Sequence, residues 1–216
     1  MIEFFVGAAV INFLLLLLAS GTDIIYGSAQ GLVNIADPYT AQGSFNILML
    51  AANILITLFM TYCISKRVNA QIDMIVYMKR TRNTGAFYVK QKRDLFLFLI
   101  SGIVGKIVSD VVFIVLFEPI EFKQWIYLLA VFALCGFAWM EWMYFFRVLR
   151  AHENICYFIV LVMAIGSLLA LMYTGDFSLF GYGVRGYSLI DILFKLISVI
   201  VLEMLSFVLI KKVDRF

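Results

Sequence analysis

Charge is scarce in this 216-residue chain: Lys, Arg, Asp and Glu make up 14% of it, against 64% hydrophobic residues and a mean hydropathy of +1.00. An ordinary soluble domain is about half apolar and about one-quarter charged. A soluble fold of this length has too little interior to hide so much apolar surface, so the solvent must be lipid. Histidine occurs once, at His152, which excludes a histidine-rich metal site. Cysteine occurs only at Cys63, Cys135 and Cys156, in or at the end of apolar runs and never as CxxC. These read as small buried hydrophobes. Nucleophile elbow, HExxH, paired catalytic carboxylates, P-loop and Gly-rich dinucleotide turn are all missing. The chain does not read as an enzyme, and it cannot hydrolyse ATP by itself. A net charge of only +3, with the basic residues flanked by apolar runs, excludes nucleic acid as a partner.

What the sequence has in quantity is unbroken hydrophobicity. Lipid requires every backbone polar group to be satisfied within the protein, which leaves helix bundles or closed barrels. Barrel strands alternate apolar and polar residues over about ten positions, whereas the runs here are continuous. About 20 apolar residues cross the roughly 30 Å hydrocarbon core. Six segments meet that length, at about 4–20, 45–64, 95–117, 124–146, 155–173 and 187–210. The fold class expected is therefore all-α: a polytopic bundle of six transmembrane helices forming one domain over 1–216. The small residues Ala19, Ser20 and Gly21 after the first run suggest a signal peptide, but the preceding residues offer Glu3 and no Lys or Arg. A secretory n-region is basic, so the segment reads as a retained helix.

Loop charges give the topology. With the N-terminus inside, the cytoplasmic pieces hold Lys66, Arg67, Lys79, Arg80, Arg82, Lys90, Lys92, Arg93, Arg147, Arg150, Lys211, Lys212 and Arg215. The outer loops hold only Lys123 and Arg185. Thirteen against two is a strong positive-inside signal, and it places both termini in the cytoplasm. Orientation alone would need two or three of these residues, yet eight crowd into 65–94. Within that segment "VNAQIDMIVYM" sets Val68, Ile72, Ile75 and Val76 at helical spacing opposite Asn69, Gln71 and Asp73. Such a stripe suits a short helix lying at the membrane surface, followed by a basic turn broken at "NTG".

Ionisable side chains also lie inside the spans, where they are costly and point to function by default. They are Lys106 and Asp110 on the third span, Glu141 on the fourth, and Asp191, Lys195 and Glu203 on the sixth. Lys106/Asp110 and Asp191/Lys195 are both i,i+4 pairs that can neutralise themselves on one helix face. Spans three and six could meet through crossed pairs, and Arg147 and Lys211 could compensate Glu141 and Glu203. The competing readings are interhelical glue and a polar lining to a translocation path or dimer seam. No chain of closely spaced acids supports a proton relay.

The layout resembles the membrane subunit of an ABC-2-type transporter. It is most similar to small permeases found with bacteriocin and lantibiotic export or immunity systems. The stretches that carry the likeness are "IVYMKRTRNTGAFYVKQKRDLF" before span three and the ending "FVLIKKVDRF". Hydropathy order contributes more to it than any residue signature. The resemblance implies a bacterial cytoplasmic-membrane protein with no cofactor of its own. Its coupling segment would be 68–93, with Ile72, Ile75, Lys79, Arg80 and Arg82 facing a separate ATPase that binds ATP. A second six-span permease would complete the assembly, and the cargo would be a peptide, bacteriocin or other amphiphile. The alternatives are a stand-alone membrane immunity or sensor protein, and a six-span substrate-capture component of an uptake system.

Overall fold

The computed structural model describes residues 1–23, 47–78, 84–116, 122–174 and 189–213. These residues form six helices and no strand: α1 (Ile2–Asp23), α2 (Ile47–Met78), α3 (Thr84–Leu116), α4 (Phe122–Val148), α5 (Glu153–Thr174) and α6 (Leu189–Val213). Each helix contains one of the expected apolar runs. Stretches long and apolar enough to cross a membrane are Tyr88–Leu116 in α3, Leu129–Val148 in α4 and Ile192–Ile210 in α6. Shorter apolar stretches, Ile2–Leu14 and Glu153–Ser167, lie in α1 and α5. Large apolar side chains stand outward along the bundle, among them Val115 (77% exposed) and Leu189 (73%). Such a surface fits lipid and not water.

α4 is the central helix. Its Val131, Phe132, Cys135, Trp139, Met140, Met143 and Tyr144 are all buried, and it packs against α2, α3, α5 and α6. α1 lies along α3, and α3 and α6 touch only briefly. The α1–α3 approach is close because α3 turns glycines toward α1. A Cβ on Gly102 would meet the Phe4 ring at 2.2 Å, and one on Gly105 would meet the Phe5 carbonyl oxygen at 2.4 Å. Small residues at such crossings let helix backbones approach in lipid, where apolar burial alone gives no driving force.

The segment 65–94 corrects the expected surface helix and loop. α2 continues without a break through Met78, and α3 is already helical at Thr84. The inward stripe of α2 runs Ile56, Met60, Ile64, Val68 and Ile72 at strict i,i+4 spacing, and all five are buried in one core. Val68 and Ile72 thus extend the internal face of a long helix. Ser65, Lys66, Arg67, Asn69 and Gln71 interrupt the apolar run around them, but Lys, Arg and Gln are good helix formers, so the end of the apolar run does not end the helix. The side chain of Ile75 and residues 79–83, with Lys79, Arg80 and Arg82, lie outside the described residues.

α4 and α5 are joined by a compact turn over 149–152. Arg150 takes a positive φ of 65°. The Ala151 amide donates to Phe146 O at 3.1 Å and the Arg150 amide to Arg147 O at 2.9 Å. This is the paired closure of a Schellman cap. His152 Nδ1 then accepts from the Asn154 amide at 3.3 Å, capping the first turn of α5.

Candidate functional site

Two polar clusters are built on α3. Lys92 and Lys106 are 14 positions apart on that helix, close to four turns, so they share a face about 21 Å apart.

The cluster at Lys106 is closed. Lys106 Nζ lies 2.9 Å from Asp110 Oδ2 and 3.0 Å from Oδ1, with both side chains buried. Asn12 of α1 donates to Asp110 Oδ1 at 2.7 Å and to Ser109 Oγ at 3.0 Å, and its own Oδ1 accepts from Lys106 at 3.3 Å. Trp125 Nε1 of α4 donates to Asp110 Oδ2 at 2.9 Å. Both carboxylate oxygens are therefore filled by donors from three helices. The i,i+4 pairing expected from the spacing is present. The crossing with the α6 pair is not what satisfies Asp110, whose other donors come from α1 and α4. Lys195 is fully buried on α6, and the Asp191 side chain lies outside the described residues. The chemistry of this cluster is cohesion: a buried ion pair with its remaining hydrogen-bonding capacity taken up holds helices in register.

The second cluster joins the N-terminal part of α3 to the C-terminal halves of α4 and α6. Lys92 Nζ lies 2.5 Å from Glu141 Oε2 and 2.8 Å from Glu203 Oε2. Tyr88 OH donates to Glu203 Oε1 at 2.8 Å. The ammonium also sits 4.1 Å from the centre of the Tyr144 ring, a favourable position for a cation. Beside it, Tyr144 OH donates to Gln91 Oε1 at 3.2 Å, and Gln91 Nε2 donates to the Gln71 carbonyl of α2. The expectation that Arg147 compensates Glu141 is corrected here. Arg147 turns its guanidinium to Ala151 O at 3.1 Å, and Lys92 serves both glutamates. The Lys211 side chain lies outside the described residues.

In the sequence Lys92 reads as one more orienting charge, and Asn12, Tyr88, Gln91, Trp125 and Tyr144 are not among the expected site residues. A lone Asn in "FFVGAAVINFLLLLLAS", and a lysine four turns before Lys106 on one face, were the available signals. Glu141 and Glu203 are 62 residues apart in the chain, and nothing local announces that they meet.

An open apolar groove of about 540 Å³ lies between α1, α2 and α5, lined by Ile11, Leu14, Leu55, Leu58, Phe59, Tyr62 and Tyr157. It offers surface for an acyl chain or an apolar side chain and no reactive group. Among the described residues, no three His, Cys, Asp or Glu side chains come together as a metal site. Comparison of the chain with protein-family models, curated proteins and solved structures returns no match.

Proposed function

We propose that this chain is a six-span permease subunit of an ABC-type transporter in a bacterial cytoplasmic membrane, with both termini cytoplasmic. It would couple ATP hydrolysis by a separate ATPase to movement of a peptide, bacteriocin or other amphiphile, alongside a second six-span subunit. One observation carries the reading. α2 and α3 are 32 and 33 residues long, against about 20 needed to cross the hydrocarbon. The uncharged runs end near Ile64 in α2 and begin at Leu95 in α3, after Lys90, Lys92, Arg93 and Asp94 within the Tyr88–Leu116 stretch, so the surplus falls on the joined ends, between which Lys79, Arg80 and Arg82 lie. A tether would need no such build. The extension is buttressed from inside by Val68, Ile72 and Tyr88, all buried, and by the Gln91–Gln71 bond. In this reading Ile72 supports the docking surface and the basic residues form it. The apolar groove suits an amphiphilic cargo.

The test is purification of the tagged chain from native membranes with identification of what stays bound. An ABC ATPase is expected with the wild type. Lys79, Arg80 and Arg82 changed together to Gln should lose it while orientation, spread over thirteen basic residues, is kept. Equal ATPase recovery from the variant would leave the segment as an orientation signal only. A wild type that brings down no ATPase would favour the stand-alone immunity or sensor reading.

A further inference from the structure

Two carboxylates share one ammonium near the cytoplasmic end of the bundle, and one negative charge is left over. Among the described residues, Lys92 is the one cation bonded to Glu141 or Glu203. The other titratable groups on the surrounding helices do not change that count. Tyr88 on α3 is neutral and donates to Glu203. Tyr144 on α4 spends its hydroxyl proton on Gln91. Arg147 on α4 bonds the Ala151 carbonyl. Arg67 on α2 lies over the Phe98 ring, and Cys156 on α5 points its thiol at Ala151 O.

The surroundings make an uncompensated charge costly. The Glu141 side chain is 3% exposed. That of Glu203 is 41% exposed, but its neighbours along α6, Ile200, Met204 and Leu205, are outward-facing hydrophobes. Glu203 lies about 10 Å along the helix from Ile210, at 1.5 Å per residue, so its open side meets lipid. Two ionised carboxylates held on one ammonium also repel each other, and the usual resolution is that one of them carries a proton.

We propose that Lys92, Glu141 and Glu203 form a proton-binding site that holds one exchangeable proton and is neutral when occupied. The proton rests on Glu141. Glu203 already accepts two donors, Lys92 and Tyr88, whereas Glu141 accepts Lys92 alone and is the deeper of the two. A protonated Glu141 keeps an acceptor oxygen for Lys92 and gains an O–H to donate. The proton comes from cytoplasmic water and returns to it past the exposed start of α3, where Val89, Lys90 and Arg93 face out. Occupied, the site ties α3, α4 and α6 together. Emptied, it sets two like charges against one another at the same junction. This inference goes beyond the transporter reading and stands whether or not an ATPase binds.

The test is pH-difference infrared spectroscopy of the purified chain in lipid nanodiscs, reading the protonated-carboxyl stretch. Wild type should show a carboxyl band that titrates. Glu141→Gln and Glu203→Gln each leave one carboxylate for one ammonium and should abolish it. Lys92→Gln leaves two carboxylates with no cation and should enlarge it. A band unchanged in both glutamate variants belongs to other carboxyls and overturns the proposal. A band that sodium ions remove at constant pH makes the site a metal-cation site and overturns it as well. If the glutamine variants fail to fold, Tyr88→Phe decides. Loss of one donor to Glu203 should move the titration midpoint to higher pH, and an unmoved midpoint refutes the site.

Discussion

Replacing Gly105 with alanine tests how α1 is seated on α3. A Cβ at this position would lie 2.4 Å from the Phe5 carbonyl oxygen, 3.2 Å from its carbon and 3.3 Å from Phe5 Cα. The obstacle is backbone, so no side-chain rotation relieves it, and ordinary contact begins only at 3.4 Å. α1 must therefore back away by about 1 Å. Asn12 lies two turns further along the same face of α1, with its amide 2.7 Å from Asp110 Oδ1. Moved by about 1 Å, it is past useful hydrogen-bond reach. Overpacking costs about 1–3 kcal/mol, and a lost bond to a charged group about 1.5–3 kcal/mol. Against this, alanine gains about 1 kcal/mol over glycine as a helix former. The net loss is about 3 kcal/mol, on the order of a hundredfold in the folded-to-unfolded ratio. Gly166→Ala is the matched control, because a Cβ there has nothing within 4 Å, and it should be neutral or stabilising by up to about 1 kcal/mol. Unfolding by a denaturing detergent in bicelles, followed by circular dichroism, measures both. Equal stability of the two variants would refute the close α1–α3 seat.

Other perturbations follow from the same geometry. Lys106→Ala strands a buried carboxylate and should cost about 3–5 kcal/mol, part of which adding Asp110→Ala should restore. A double-mutant cycle with no coupling, against the about 0.5–3 kcal/mol of contacting residues, would dissolve the pair. For topology, single cysteines are placed in a background lacking Cys63, Cys135 and Cys156. Arg82→Cys should label from the cytoplasm only, and Gln30→Cys and Ser178→Cys from outside only. Labelling of position 82 from outside would remove the six-span arrangement.

The helices were legible from hydropathy because continuous apolar runs of this length have few alternatives in lipid. Their ends were not. Hydropathy reports which solvent a residue meets, whereas a helix ends where backbone hydrogen bonding ends. α2 therefore passes its last apolar stretch by more than ten residues, carried by Val68 and Ile72. The Lys106–Asp110 pair could be seen because both partners lie on one turn. Its third member, Asn12, is 98 residues from Asp110. Lys92, Glu141 and Glu203 come from three helices, and which helix packs on which is not written in any local pattern. Arg147, the nearest basic residue to Glu141 along its own helix, for that reason turns to Ala151 O instead.

The different wiring of the two clusters bears on how the chain is laid down in the bilayer. Helices enter in order of synthesis, each alone before its neighbours arrive. Lys106 and Asp110 enter on one helix as a unit of no net charge, and Asn12, already in place on α1, needs only to be met. Glu141 and Glu203 bring no companion on their own helices. Lys92 is synthesised before either, near the start of α3, and waits for two later arrivals. The second of them stands on α6, made after the other two helices of the junction and among the least enclosed. Docking of α6 therefore completes a three-helix junction that cannot exist until its third member has been made.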